Sequence, residues 1–136
     1  QGSSPLAFKG ANNFGNIFAD MLAPYSQEIN AKIIAIAKQQ NILLHKGIYA
    51  SVLGPQLETR AEYRMLQILE TDAVGMSTVP EIIAAKHMEL SCFACSIITD
   101  VCYGEIQPVD IQDIISTAMN SEPKLTALFK ELINRI

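Results

Sequence analysis

Short runs of apolar and β-branched residues alternate with longer segments of helical periodicity through the middle of the chain. The runs cover residues 47–54, 72–77 and 91–99, and each has the length and composition of a buried parallel strand. The segments between the runs are long enough for one helix each. This order of strand, helix, strand, helix and strand predicts an α/β domain with a largely parallel central sheet.

Two helices are predicted between the strands. Thr59 and Glu62 have the spacing of a capping box before the first helix. Thr78 and Glu81 repeat that spacing before the second helix, where Pro80 falls in the first turn and its missing N–H costs nothing. Helical spacing also groups four apolar residues of the first helix into one stripe, namely Ala61, Met65, Leu66 and Leu69.

Three further helices are predicted outside these strands. One begins at Pro24, with Ile29, Ile33 and Ile36 on its buried side. A second is capped by Asp110, and its apolar residues are Ile111, Ile114, Ile115 and Ala118. The last helix has a continuous stripe of Leu125, Leu128, Phe129, Leu132 and Ile133. We predict one domain over residues 1–136, with an irregular Gly/Asn-rich N-terminal arm at 1–23 and an α/β core with C-terminal helices at 24–136.

Composition and charge narrow the class of protein. Of the 136 residues, 49% are hydrophobic and 18% are charged, as in a globular domain. The net charge is -4 and the basic residues are scattered, so neither nucleic acid nor an acidic membrane is an expected partner. The apolar runs are too short to span a bilayer and the start does not resemble a signal peptide, so we expect a cytoplasmic protein. The chain begins with Gln1 rather than Met, which suggests that an upstream part is missing.

The three cysteines fit a reducing compartment. Cys92 and Cys95 have the spacing of a C-x-x-C pair, but residues three apart on a strand point to opposite faces. No second Cys or His pair with zinc spacing exists in the sequence. We therefore expect Cys92 and Cys95 to be small core residues and expect no metal.

Polar side chains follow each predicted strand. In parallel sheets ligands bind beyond the carboxyl ends of the strands. The candidates there are Glu58, Met76, Ser77, Thr99 and Asp100. This set suits a small, flat, polar-edged molecule better than a metal, because its carboxylates have no histidine partner. Each residue also has a purely structural alternative, since Glu58 could favour a helix N-terminus, Met76 could lie in the core, and Ser77 could cap a helix.

Three strings in the sequence carry a family resemblance, namely "GPQLETRAE", "DAVGMSTVPEIIAAKH" and "SIITD". With the intervals between them, they resemble the C-terminal half of the trimeric class of purine nucleoside phosphorylases. The arm "GSSPL" to "FGNIFADM" resembles the segment before that half. The resemblance implies the reversible phosphorolysis of purine (deoxy)ribonucleosides to free purine and (deoxy)ribose 1-phosphate. Inorganic phosphate would be the co-substrate, and no other cofactor is expected.

The resemblance also implies roles for individual residues. Glu58 matches the carboxylate that accepts hydrogen bonds from the purine, as guanine and hypoxanthine would offer. The other positions that match base or sugar contacts are Tyr49, Leu57, Val74, Gly75, Met76 and Thr99. Asp100 matches a residue at the imidazole side of the base, so Glu58 and Asp100 are the candidate catalytic residues. Ser77 matches a phosphate-binding hydroxyl. Phe18 matches an aromatic residue that reaches a neighbouring subunit, which implies a homotrimer.

The chain departs from the family pattern at three points. Asp100 stands where the family commonly has Asn, and we expect it either to hold a proton and donate, which we favour, or to accept from a 6-amino group. Ile111 stands where a histidine often meets the sugar's 5'-hydroxyl. The N-terminal half, which supplies most of the phosphate site, is absent from this sequence, and neither His45 nor His87 replaces it. We therefore expect the isolated chain to be incomplete and inactive.

Two alternatives stay open. A 5'-methylthioadenosine phosphorylase is favoured by Asp100 and Ile111 but opposed by Glu58. A non-catalytic nucleobase-binding or oligomerisation module of the same fold is favoured by the missing phosphate ligands. The residues that match base contacts favour the phosphorylase.

Overall fold

The computed structural model describes residues 3–104, 108 and 110–136. The regular elements are a 3-10 helix at Ala11–Phe14, then α1 (Gln27–Gln39), β1 (Tyr49–Ser51), α2 (Arg60–Ile68), β2 (Ala73–Gly75), α3 (Val79–His87) and α4 (Ile111–Ile133). The chain divides into two compact units. The first unit consists of Gln1–Gln27 with Gly47–Ala94, and the second consists of Glu28–Lys46 with Cys95–Ile136.

β1 and β2 form a two-stranded parallel sheet in the first unit. Tyr49 pairs with Ala73 and Ser51 pairs with Gly75. Asp72 fixes the start of this register, because its Oδ2 accepts from the backbone N–H of Ile48 at 2.7 Å while its own N–H donates to the Ile48 carbonyl at 2.9 Å. The predicted strand, helix, strand order over residues 47–77 is confirmed, although both strands are shorter than the apolar runs.

The prediction of a third strand at residues 91–99 is wrong. In the described part of that run only Cys92 forms a β-bridge, which is parallel and joins it to Tyr25. The Cys92 carbonyl also accepts from the backbone N–H of Ser26 at 2.7 Å. A strand requires a ladder of partners, and the pairing segment ends where α1 begins at Gln27. The same bridge explains why α1 does not begin at Pro24 as predicted.

Helix α2 has the predicted capping box but a different buried face. Thr59 is the N-cap, and its side chain and that of Glu62 exchange hydrogen bonds with each other's backbone N–H. The buried residues are Tyr63 and Leu66, whereas Met65 and Leu69 of the predicted stripe are exposed. Tyr63 and Leu66 are three positions apart and so share one face of the helix, which is the face that points inward.

Helix α3 begins without the capping box predicted for Thr78 and Glu81. Thr78 has φ 72° and ψ -58° and makes no side-chain cap. The backbone N–H of Val79 donates to the Ser77 carbonyl at 2.8 Å, so Thr78 is the centre of a γ-turn of the rare positive-φ kind. An N-cap side chain reaches the first turn from extended backbone, which Thr78 does not have. Pro80 lies in the first turn, as predicted.

The two C-terminal helices predicted from the sequence are one continuous helix, α4. Asp110 is its N-cap, with Oδ1 accepting from the backbone N–H of Gln112 at 2.8 Å. Ala118 and Leu125 are two helical turns apart, so the two predicted apolar stripes lie on one face. Pro123 removes one backbone hydrogen bond, and the Thr126 hydroxyl donates to the Glu122 carboxylate across this position.

The buried core is small in both units. In the first unit the buried apolar residues are Ala11, Tyr63, Leu66, Ile82 and Cys92. In the second they are Ile33, Ile36, Ala37, Leu128 and Leu132, of which Ile36 is 0% and Leu132 1% exposed. Many large apolar side chains elsewhere are exposed, including Leu22, Ile68 and Val101. Among the described helices, none has both the length and the apolarity needed to cross a membrane.

Candidate functional site

Glu58 lies at the start of α2 without taking part in its cap. Glu62 makes the cap, because its Oε2 accepts from the backbone N–H and the hydroxyl of Thr59, each at 2.7 Å. Among the described residues no hydrogen bond or ion pair involves the Glu58 carboxylate, which is partly exposed. Leu57, directly before it, is 43% exposed. The hydrogen-bonded cap of α2 is therefore made by Glu62, and the acceptor oxygens of Glu58 are not used by it.

The two strands bring Tyr49 and Gly75 into direct contact. A Cβ built on Gly75 would lie 2.2 Å from the Tyr49 hydroxyl oxygen and 3.1 Å from its Cζ. The phenol therefore lies against the backbone at the end of β2, where any larger residue would displace it. Val74, one residue earlier, pairs with Ala50 and is half-buried.

Met76 follows β2 and contacts Gly54 in the same way. A Cβ on Gly54 would lie 2.2 Å from the Met76 Sδ and 2.9 Å from its Cε. Gly54 also has φ +63°, a backbone conformation that favours glycine. The Met76 side chain is 39% exposed, so part of it contacts Gly54 and part faces solvent.

Ser77 and Thr78 place two hydroxyl groups before α3. Their oxygens are 3.4 Å apart, Ser77 is exposed and Thr78 is half-buried. Because no side chain caps α3, its first turn leaves backbone N–H groups and the positive end of the helix dipole near these hydroxyls. Donors of this kind are suited to an anion.

Thr99 and Asp100 lie in the second unit, where Thr99 is half-buried and Asp100 is exposed. Asp100 uses both oxygens as acceptors: Oδ1 accepts from the backbone N–H of Val101 at 2.8 Å, and Oδ2 accepts from the Cys102 thiol at 3.4 Å.

The remaining candidates are dispersed. Phe18 is 85% exposed in the arm, where its backbone N–H donates to Asn16 Oδ1 at 3.0 Å. Ile111 is the exposed first residue of α4, and His45 is exposed. His87 ends α3, and its Nε2 is buried without a hydrogen-bond partner among the residues described.

Tyr25 is a neighbour of the site that sequence reasoning missed. Burial raises the pKa of the Tyr25 phenol, and the nearby Tyr49 and Cys92 raise it further. Cys92 lies close to Tyr25 because the two residues form a β-bridge. Only a tertiary contact reveals this group, because in the sequence Tyr25 looks like part of a helix start.

Of the two cysteines expected in the core, Cys92 is buried but Cys95 is not fully buried. Cys92 is buried and its thiol donates to the Leu90 carbonyl at 3.3 Å, whereas Cys95 is half-buried. Burial raises the pKa of the Cys95 thiol. Across residues 3–104, 108 and 110–136, no group of three or more His, Cys, Asp or Glu side chains is arranged to hold a metal ion.

Several relatives match this chain over nearly its whole length. Purine nucleoside phosphorylase 1 of Bacillus subtilis is 37% identical over 136 residues, which is 99% of this chain and 49% of the relative. A putative purine nucleoside phosphorylase of Schizosaccharomyces pombe is 35% identical over 134 residues, or 97% of this chain and 42% of the relative. The chain thus spans about half the length of the relatives it matches.

Solved structures match to a similar extent. An isoform 2 purine nucleoside phosphorylase of Schistosoma mansoni, in complex with cytosine and ribose-1-phosphate, has a TM-score of 0.88 at 31% identity, over 96% of this chain and 48% of that one. A Schistosoma mansoni enzyme in complex with adenosine has a TM-score of 0.86 at 27% identity, over 96% and 49%. The α/β phosphorylase fold and the predicted resemblance are confirmed. The profile of the phosphorylase superfamily matches residues 1–134, and the chain belongs to that family.

Proposed function

We propose that this chain carries the purine-binding half of a purine nucleoside phosphorylase, which converts purine (deoxy)ribonucleosides and phosphate reversibly to free purine and (deoxy)ribose 1-phosphate. The observation that carries the proposal is the free Glu58 carboxylate beside Leu57, with the helix cap made by Glu62 instead. An ionised carboxylate accepts only, so Glu58 suits the N–H groups of guanine or hypoxanthine. The names of the relatives support the same reaction.

In this reaction a phosphate oxygen forms a bond to the anomeric carbon of the sugar while the bond from that carbon to the base nitrogen breaks. The electron pair of the broken bond leaves with the base, which takes up a proton. Tyr49, Val74, Gly75 and Met76 would contact the sugar and the base. The Ser77 hydroxyl, at the uncapped start of α3, would donate to phosphate.

Negative charge that develops on the leaving base has to be stabilised, and the loss of one aligned donor in such sites typically costs about 3 kcal/mol. Thr99 and Asp100 are assigned to the imidazole side of the base. Inorganic phosphate is the co-substrate, and the proposal needs no other cofactor. We further propose a cytoplasmic homotrimer in which the exposed ring of Phe18 reaches a neighbouring subunit.

The complete enzyme, in this proposal, is this chain together with the N-terminal half of the fold. Among the described residues, the candidate phosphate region offers the hydroxyl groups of Ser77 and Thr78 and the backbone N–H groups at the start of α3 as donors. We therefore expect no inosine turnover by the 136-residue chain with phosphate present. The two other readings predict different behaviour. A methylthioadenosine phosphorylase, favoured by the exposed apolar Ile111, would prefer 5'-methylthioadenosine, and a binding module would bind purine without turnover in the complete enzyme too.

The test is Glu58→Gln in the complete enzyme, with kcat/KM measured for inosine, guanosine and adenosine. Glutamine places a donor opposite the donors of a 6-oxopurine, a mismatch of about 1 to 3 kcal/mol, so inosine and guanosine should lose about tenfold or more relative to adenosine. Glu62→Gln is the matched control, because it changes the cap and should leave the ratio of substrates unchanged. Equal losses for all three nucleosides, or the same pattern in both variants, would assign Glu58 to helix stability instead.

A further inference from the structure

Two side chains assigned to nucleoside contact each lie on a glycine of the neighbouring segment. Tyr49, on β1, contacts Gly75 at the end of β2, and Met76, just after β2, contacts Gly54, after β1. In each pair the nearest atom would be 2.2 Å from a Cβ on the glycine, where 3.4–4 Å is ordinary contact. The contacts therefore cross the sheet in both directions.

A Cβ at position 54 would collide with more than the terminal methyl group of Met76. The Met76 Cγ, Sδ and Cε would lie 3.0, 2.2 and 2.9 Å from the added Cβ. The outer half of the Met76 side chain therefore packs against Gly54. Turning only the terminal methyl group would leave Sδ in collision. A side chain at position 54 would therefore displace the outer part of the Met76 side chain and change what its solvent-facing side can contact.

We infer that Gly54 is a positioning residue that acts through Met76, leaving room for the thioether to lie where it contacts the bound nucleoside. This inference rests on the proposed function for its catalytic consequence, but the contact itself does not depend on it. Gly54 has a second reason to be glycine, its φ of +63°, and a test has to separate the two. Asparagine tolerates this φ better than alanine yet carries the same Cβ. Gly54→Asn therefore introduces the collision with less backbone strain.

The first experiment measures the contact in the 136-residue chain labelled with 13C at its methionine methyl groups. The Met76 resonance is assigned by its disappearance in Met76→Leu. Gly54→Ala and Gly54→Asn should both shift the Met76 methyl resonance, while those of Met21, Met65, Met88 and Met119 stay in place. An unmoved Met76 resonance in a folded Gly54→Asn chain overturns the inference whatever the protein does as an enzyme.

The second experiment measures phosphorolysis of inosine by the complete enzyme in two backgrounds. Gly54→Asn should raise KM about tenfold and change kcat less than about threefold, because the thioether contacts the nucleoside before and during reaction. In a Met76→Ala background the same change should alter KM less than about twofold, because the side chain that collides is gone. Equal effects in both backgrounds would overturn the positioning role. No turnover by the unmutated enzyme would instead reject the proposed function, leaving the methyl-shift result to decide the contact.

Discussion

The backbone N–H and the hydroxyl of Thr59 both donate to the Glu62 carboxylate, at 2.7 Å each. In return, the Thr59 hydroxyl oxygen accepts from the Glu62 backbone N–H at 3.2 Å. These bonds give two backbone N–H groups at the N-terminus of α2, those of Thr59 and Glu62, a hydrogen-bond partner. This reciprocal cap distinguishes the roles of two carboxylates that lie four residues apart in the sequence. Glu62 stabilises the helix, and Glu58 is available to a ligand.

The first prediction concerns the acid stability of this cap. The hydrogen bonds from the Thr59 backbone and hydroxyl hold the pKa of Glu62 below its ordinary 4.5. A lowered folded-state pKa favours the charged form, so the stabilisation is present above pH 4.5 and is lost as pH falls through the lowered value. Melting temperatures measured from about pH 6 to about pH 3 should fall more steeply for the unmutated chain than for Glu62→Gln. Parallel curves for the two proteins would contradict the prediction.

The second prediction concerns the γ-turn at Thr78. A β-branched residue at φ 72° is strained by about 1–2 kcal/mol, and glycine relieves this strain but has more freedom to lose on folding, about 0.5–1 kcal/mol. Thr78→Gly should therefore raise the free energy of unfolding by up to about 1 kcal/mol in urea titrations. The less rigid turn should also lower kcat/KM of the complete enzyme about tenfold, because Ser77 is less well oriented.

Thr78→Val is the control for that experiment, since it keeps the branched side chain and removes the hydroxyl. Its free energy of unfolding should stay close to that of the unmutated chain. If Thr78→Gly proved less stable than Thr78→Val, the turn would carry no strain that glycine can relieve.

The sequence predicted the order of the elements because the signals that specify it are local. The Thr59 cap, the Asp110 cap and Pro80 in the first turn of α3 all depend on residues within a few positions of each other. The predictions of secondary structure fail where the structure depends on a partner that is distant in the sequence. The run around Cys92 has strand composition, but within the described part of the chain only Tyr25 forms a β-bridge with it, and no local pattern reveals the length of that pairing.

The candidate site was predictable in its residue types and less so in its contacts. Glu58 and Ser77 follow apolar runs, so their placement at strand ends could be anticipated. The contact between Gly54 and Met76 could not be anticipated, because the need for a glycine depends on which side chain packs against it in the fold. The backbone of Thr78 contradicts the preference of its own residue type, which makes it unpredictable from propensity.

The third prediction concerns the register of the sheet. Asp72 Oδ2 accepts from the backbone N–H of Ile48, and Asp72→Ala should leave that donor without its partner at a cost of about 1 kcal/mol in the free energy of unfolding. Asp72→Asn should recover most of the loss, because an amide oxygen can accept the same bond. Asp20→Ala is the comparison, since Asp20 Oδ1 accepts at 2.8 Å from the backbone N–H of Leu22, two residues away in the arm. Equal losses for Asp20→Ala and Asp72→Ala in urea titrations would show that the cross-strand bond contributes nothing special.

The last prediction concerns Asp100. One of its oxygens accepts from the backbone N–H of Val101, and the other accepts from the thiol of Cys102. Asparagine at this position can keep the bond from the Val101 N–H through its carbonyl oxygen and present an NH₂ donor in place of the second oxygen. Such a donor can bind the ring nitrogen of a departing 6-oxopurine, whereas an ionised carboxylate opposes the charge that develops there. Asp100→Asn should therefore raise kcat/KM for inosine relative to adenosine in the complete enzyme by about tenfold. Asp113→Asn, which makes the same charge change in the first turn of α4, should leave the ratio unchanged. A ratio that stays the same in Asp100→Asn, or moves equally in both variants, would exclude Asp100 from recognition of the base.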